Sequence, residues 1–172
     1  MPAKGCHDRQ VLLATQRGVR PVVMRPSLIY GRGRGLNPNS LQLPTLIKVA
    51  RQFGVPRHVG RGLNVWSHVH IDDVVEAYVL AIAHAPAGSL FYLENGEASW
   101  RDMARAIGQA LGLGEETREW PLSDAVRSLG PGALTSYGSN SRVRSFKARK
   151  MLGWQPSGPD LFQVIQTSGT AS

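Results

Sequence analysis

Two histidines and two aspartates stand close together at residues 68–73 and could in principle bind a metal ion. His68 and His70 alternate along an extended segment, so both side chains would lie on one face of a strand. Asp72 and Asp73 follow at once, but no third ligand stands at a spacing typical of a metal site. The pattern favours histidines at the end of a strand and acidic residues at the start of a helix. We therefore predict no metal.

Other patterns that could carry chemistry are incomplete. The segment Gly31–Gly35 has neither the Gly-x-x-Gly continuation of a dinucleotide loop nor the Gly-Lys-Ser/Thr ending of a phosphate loop. The sequence contains no Gly-x-Ser-x-Gly, the nucleophile elbow of many hydrolases. Arg142 and Arg144 could bind an anionic substrate group bidentately, with a solvated basic stretch as the slightly favoured alternative.

Composition indicates one domain. The chain has 172 residues, of which 42% are hydrophobic, enough for a packed core. The net charge of +8 is unevenly spread. Residues 1–62 contain eleven basic residues and one acidic residue. Residues 63–124 contain three basic and ten acidic residues, and residues 125–172 contain six basic residues and one acidic residue. No nucleic-acid-binding motif accompanies the basic segments, so nucleic acid is not the expected partner.

The single cysteine and the apolar pattern bear on location. Cys6 alone excludes an internal disulfide and a cysteine-rich zinc site. The N-terminus lacks the apolar region of a signal peptide. No apolar run reaches the roughly 18 residues of a membrane span. We expect a cytoplasmic protein with no membrane-bound part.

Hydrophobic periodicity predicts alternating helices and strands. The apolar segment 21–30 is typical of a buried strand with parallel neighbours on both sides. Further strands are expected at 58–60, 66–71 and 90–93, and helices at 8–17, 43–53, 73–84, 100–111, 122–129, 145–152 and 161–166. Asp72 and Ser99 are expected to cap helices, and 130–138 to form a loop. This order predicts an α/β fold with too few strands for a complete sheet.

Three segments carry a family resemblance. Residues 18–31 contain Arg-Pro-x-x-Ile-Tyr-Gly, residues 68–78 are similar to a Phe-x-His-Val-Asp-Asp segment, and residues 147–156 match Lys-Ala-x-x-x-Leu-Gly-Trp-x-Pro. In this order the segments resemble the C-terminal half of the extended short-chain dehydrogenases/reductases, the NAD-dependent epimerase/dehydratase type. Residues 61–67 and 140–144 look like those of an atypical branch of this family rather than those of a known sugar epimerase.

The resemblance implies an architecture and a cofactor. Residues 1–35 would form the last part of the Rossmann-type parallel sheet, with the catalytic-type helix and the strand after it. Residues 36–172 would form the small substrate-binding domain together with a returning Rossmann strand and helices. The N-terminal half with its glycine-rich pyrophosphate loop would be absent. NAD or NADP is the implied cofactor, and tight binding by this chain alone is not expected.

The resemblance also implies site residues. Lys4 matches the lysine of the family's Tyr-x-x-x-Lys pair, with an exposed terminal lysine as the alternative, and the tyrosine would fall one residue before Met1. Cofactor contacts at the nicotinamide carboxamide would come from Pro26, Ser27 and Leu28, with a simple strand end as an equal alternative. The substrate pocket would be lined by Asn37, Trp66 and His68. Trp66 replaces an arginine that binds phosphate in many sugar-nucleotide enzymes of the family, so the resemblance does not support a nucleotide-sugar substrate. Trp154 is expected in the core.

We therefore expect the C-terminal fragment of an NAD(P)-dependent oxidoreductase, epimerase or dehydratase. Its substrate would be a small hydroxy, keto or sugar-like molecule, and the chain alone would be inactive. Two alternatives remain open: a non-catalytic binding or assembly module, and the product of a truncated gene. A basic nucleic-acid-binding protein is a more distant one. The unpaired edge of the strand at 21–30 predicts self-association or a partner chain that completes the sheet.

Overall fold

The computed structural model describes residues 4–36 and 38–170, and only the backbone of residues 4–6, 169 and 170. The helices in this part are α1 Lys4–Leu13, α2 Gln42–Phe53, α3 Ile71–His84, α4 Trp100–Ala110, α5 Leu122–Leu129, α6 Ala133–Ser136, α7 Phe146–Leu152 and α8 Leu161–Thr170. The strands are β1 Val22–Pro26, β2 Leu28–Tyr30, β3 Arg57–Val59, β4 Val65–His70, β5 Ser89–Leu93, β6 Glu97–Ser99 and β7 Arg118–Trp120. Helices and largely parallel strands alternate, which confirms the α/β class.

The segment expected as one strand at 21–30 forms two, because the chain changes its partner at Ser27. Before it, β1 runs parallel to β5, with Val22 opposite Ser89 and Pro26 opposite Leu93. After it, β2 runs parallel to β4, with Leu28 opposite His68. The Ser27 N–H donates to the Leu93 carbonyl at 3.0 Å and closes the β1–β5 pairing.

The strands form three small sheets in the described residues: β1–β5, β2–β4–β6 and β3–β7. The β4–β6 pair is antiparallel and the other pairs are parallel. In this part of the chain β1 pairs with β5 alone, so its second edge has no strand beside it.

The core consists of two clusters. One lies under β1, β5 and α3 and contains Phe91, Leu93 and the fully buried Trp154, as predicted for that tryptophan. The other joins α2, α4 and α8, through side chains such as Trp100 and Ile165. The apolar stripe of α4 and the Ser99 cap were both predicted, and the Ser99 hydroxyl accepts from the Asp102 N–H at 3.1 Å.

The start of α3 differs from the prediction. The helix begins at Ile71 and its cap is His70, whose Nδ1 accepts from the Asp72 N–H at 3.3 Å. Asp72 is therefore exposed in the first turn of the helix, where the helix dipole stabilises a carboxylate. Asp73 is buried instead and accepts from the N–H groups of Ser157 and Gly158 at 2.8 and 2.9 Å.

Short elements were the ones that the sequence did not predict. β6 and β7 have three residues each, and the four-residue α6 lies within 130–138, which was expected to be a loop. The helix expected at 8–17 is α1 followed by a 3-10 turn, Ala14–Arg17, and Gly18 ends it in the left-handed region at φ 75°. Within the described residues no helix is long and apolar enough to cross a membrane.

Candidate functional site

A cavity of about 650 Å³ opens where β1 ends. Its lining comes from α1, the ends of β1 and β5, the start of β4 and the segment before α7: His7, Asp8, Arg25, Pro26, Ser27, Trp66, Tyr92, Ser141 and Val143. Three residues predicted separately for cofactor and substrate, Pro26, Ser27 and Trp66, thus line one cavity. We refer to it as the β1 cavity.

Ser27 has the most informative side chain in the β1 cavity. Its Oγ is buried and has no hydrogen-bond partner within the described structure. A buried hydroxyl without a partner is unfavourable by roughly 1–3 kcal/mol. Its backbone is fixed by the bond to Leu93, so the hydroxyl stays at the junction of β1 and β2. Ser27, which lines the cavity, therefore holds a hydroxyl without a partner among the described residues.

The neighbouring residues fix the walls. Arg25 forms an ion pair with Asp8, which joins α1 to β1 at the edge of the cavity. Arg25 also lies opposite Tyr92 in the β1–β5 register. The Trp66 Nε1 donates to the Ser139 carbonyl at 2.7 Å, and its ring lies 5.8 Å from the ring of Trp100. Trp66 is thus a fixed apolar wall.

Arg142 and Arg144 contact an acid of their own chain. Both guanidinium groups hydrogen-bond to Glu97, and the Arg142 Nη2–Glu97 Oε2 distance is 2.7 Å. These bonds from Arg142, then from Arg144, hold the pKa of Glu97 down at about 2. Glu97 also accepts from the Ser67 hydroxyl at 3.2 Å. A substrate anion would have to compete with Glu97 for these arginines.

Among the other predicted residues, Leu28 and His68 do not line the β1 cavity. Leu28 is buried in the core. His68 is buried against the Tyr30 ring, with centroids 5.4 Å apart, and burial lowers its pKa. Lys4 begins α1, but its side chain lies outside the described residues, as does Asn37. In the described part of the chain, no group of three or more His, Cys, Asp and Glu side chains could hold a metal.

Several lining residues were not predicted. His7 and Asp8 lie in α1, and Ser141 and Val143 lie more than a hundred residues beyond β1. Only Arg25 had a signal in the sequence, as part of the Arg-Pro pattern. The other five, which include Tyr92 at the end of β5, reach the cavity through tertiary packing.

The family model for the NAD-dependent epimerases/dehydratases matches residues 3–92, just over half of the chain. The chain belongs to this family. Among curated members, the oxidase ucsJ of Acremonium sp. is 29% identical over 95% of this chain, and the UDP-glucose 4-epimerase of Mycolicibacterium smegmatis is 35% identical over 56% of it.

Solved structures of epimerases and dehydratases share the fold. The dTDP-glucose 4,6-dehydratase of Bacillus anthracis, solved in complex with NAD, aligns with 96% of this chain at a TM-score of 0.74 and 17% identity. The UDP-glucose 4-epimerase of Thermotoga maritima, solved with UDP-glucose, aligns with 95% at 0.72 and 20% identity. The chain spans 54% of the Acremonium oxidase and 49% of the dehydratase, or about half of each.

Proposed function

We propose that this chain forms the substrate side and the nicotinamide end of an NAD(P)-dependent oxidoreductase, epimerase or dehydratase site. The observation that carries the proposal is that Ser27, whose buried Oγ has no partner among the described residues, lines one cavity together with Pro26 and Trp66. The substrate would be a small hydroxy, keto or sugar-like molecule.

The β1 cavity fits one end of the cofactor. The nicotinamide carboxamide has both a donor and an acceptor, and the Ser27 hydroxyl can bond to either. Pro26 presents no N–H, so the flat ring can pack against it without leaving a donor unpaired. When bound, the cofactor supplies hydride transfer, and the protein supplies position.

The substrate end would be shaped by Trp66 and Tyr92. Their rings give an apolar wall that excludes water and favours a substrate with an apolar face. Arg142 and Arg144, on either side of the lining residue Val143, would orient a substrate anion only by leaving Glu97. We therefore favour an uncharged substrate. Lys4 would act on the cofactor ribose and on a tyrosine from outside this chain.

The sequence contains no Gly-x-x-Gly-x-x-Gly pattern, which holds the cofactor pyrophosphate in this family. The proposal therefore includes a missing half, on the same polypeptide or on a partner, and inactivity of this chain alone. Its test is a chimera in which the N-terminal half of the Acremonium oxidase precedes this chain.

The chimera is expected to bind NADH or NADPH, measured by nicotinamide fluorescence. Ser27→Ala should weaken that binding roughly fivefold, because one hydrogen bond of about 1 kcal/mol is lost. Ser128→Ala, on the exposed face of α5, is the matched control and should leave the affinity unchanged. A folded chimera that binds no cofactor, or whose affinity for the cofactor is unchanged by Ser27→Ala, would refute the proposed site.

A further inference from the structure

A second cavity, of about 510 Å³, lies between α2 and α8. It shares no lining residue with the β1 cavity. Both helices pack on α4, which holds them at a fixed separation. We refer to this space as the α2–α8 cavity.

Part of the lining is apolar. Leu43, Pro44 and Ile47 stand on neighbouring turns of α2, and Val164 faces them from α8. Thr167 and Ser168, on the next turn of α8, add hydroxyl groups. The cavity thus has an apolar floor beside a polar wall, the composition of a small-molecule site.

The rest of the lining is cationic. Lys48 and Arg51 are three residues apart on α2 and share its outer face, and Arg32 comes from the loop after β2. The backbone on both sides of Arg32 is paired, because Arg32 bridges to Asn39 and the Gly33 N–H donates to the Pro38 carbonyl at 2.7 Å. Three positive charges therefore line one small space.

No acid of the described chain neutralises these charges. Within the described residues, the side chains of Arg32, Lys48 and Arg51 form no ion pair or hydrogen bond. The sequence has no Asp or Glu between Asp8 and Asp72 and none in α8. The lining itself contains no carboxylate. Like charges brought together in this way repel one another unless an anion is bound between them.

We propose that the α2–α8 cavity binds a phosphate monoester with a small apolar body. A dianionic phosphate matches a lysine and two arginines, because these side chains can donate several charge-assisted hydrogen bonds to its oxygens. The apolar floor would accept the esterified group. The site is independent of the cofactor and of the proposed reaction.

The test is a calorimetric titration of the full chain with hexyl phosphate as the probe. Inorganic phosphate and hexanol, which represent the two halves of the probe, are titrated separately for comparison. Hexyl phosphate should bind at least about tenfold more tightly than either half. Arg51→Gln and Lys48→Gln should each weaken binding by about tenfold, and added salt should weaken it further. Lys150→Gln, an exposed cation on α7, is the matched control and should bind like the wild type.

A further substitution, on α8, tests the same cavity. Thr167→Asp places a carboxylate opposite the cations and should abolish binding, with circular dichroism confirming that the fold is retained. Equal loss with Lys150→Gln, or binding of hexanol as tight as that of hexyl phosphate, would overturn the proposal. If the protein binds vesicles that contain phosphatidic acid, and the same variants abolish that binding, the ligand is a lipid headgroup. If the protein does not bind these vesicles, the ligand is a soluble ester.

Discussion

At the scale of single residues, two of the buried histidines in the described chain, His58 and His68, bind a proton less readily than an exposed histidine does. Burial lowers the pKa of His68 and of His58. Asp160, Glu94 and Glu97 act on His68 in the opposite direction but have less effect than burial. The unfolded chain therefore binds protons more readily than the folded chain once the pH falls below about 6.5.

This difference predicts acid sensitivity. The free energy of unfolding should change little between pH 7 and pH 8 and should fall between pH 6.5 and pH 5. Glu97 cannot explain a loss in that range, because its pKa is lowered from 4.5 to about 2, and the stability that it contributes falls only when the pH drops below about 4.5. Urea unfolding at pH 7.5 and pH 5.5 measures the effect.

Variants identify the groups responsible. His68→Gln should reduce the difference between the two pH values, since a buried titrating group is removed. His84→Gln, at the exposed end of α3, should leave the difference as it is in the wild type. The same stability at both pH values in the unmodified chain would contradict the explanation.

At the scale of elements, the joint between α3 and the segment before α8 depends on one carboxylate. Asp73 accepts two backbone N–H groups, from Ser157 and Gly158, and the Trp154 Nε1 donates to the Asp73 carbonyl at 2.9 Å. The family's terminal Leu-Gly-Trp-x-Pro segment is held on the helix by these bonds.

Neighbouring substitutions test this joint. Asp73→Ala should lower the free energy of unfolding by about 2–4 kcal/mol, because two backbone N–H groups lose a buried, charged acceptor. Asp72→Ala, one residue earlier but exposed, should cost less than about 1 kcal/mol. Urea unfolding curves decide the matter, and similar losses for the two variants would show that Asp73 does not hold the joint.

The sequence predicted the elements that are stabilised by their own pattern. The stripe of α2 and the Ser99 cap of α4 are local features, so both helices were predicted nearly to the residue. β6 and β7 are stabilised by partners far along the chain, and nothing in three residues indicates such pairing. Asp72 and Asp73 are identical in type, and only the fold decides which one is buried.

The site was predictable to a similar degree. The Arg-Pro pattern pointed to Ser27, and the His-Val-His-Ile-Asp-Asp segment fixed the position of Trp66. The pairing of Glu97 with Arg142 and Arg144 joins residues 45 and 47 positions apart, so no local pattern could indicate it. The cations of the α2–α8 cavity come together only when the β2 loop meets α2.

At the scale of the whole molecule, a strand edge and an apolar helix face are open in the described chain. The second edge of β1 has no strand beside it, and α3 exposes Val75, Tyr78, Val79 and Ile82 on one face. These four residues recur at helical spacing, so they form a continuous stripe. Unpaired strand edges and large apolar patches promote association.

We expect the purified chain to self-associate, or to require a partner that supplies the neighbouring strands. Sedimentation velocity should show species larger than a monomer, and replacing Val79 and Ile82 by Glu should raise the monomer fraction. Replacing Ser123 and Ser128 of α5 by Glu adds the same charge elsewhere and should not. A monodisperse monomer with a cooperative, high-temperature transition would contradict the open-surface account.

The most direct test of the central claim, that this chain holds only part of a cofactor site, is calorimetric titration of the purified chain with NAD, NADH, NADP and NADPH. The account predicts no binding as tight as micromolar with any of the four, because no backbone loop is present to hold the pyrophosphate. A dissociation constant of about 1 μM, equivalent to roughly −8 kcal/mol, would contradict it by showing a complete cofactor site within these 172 residues.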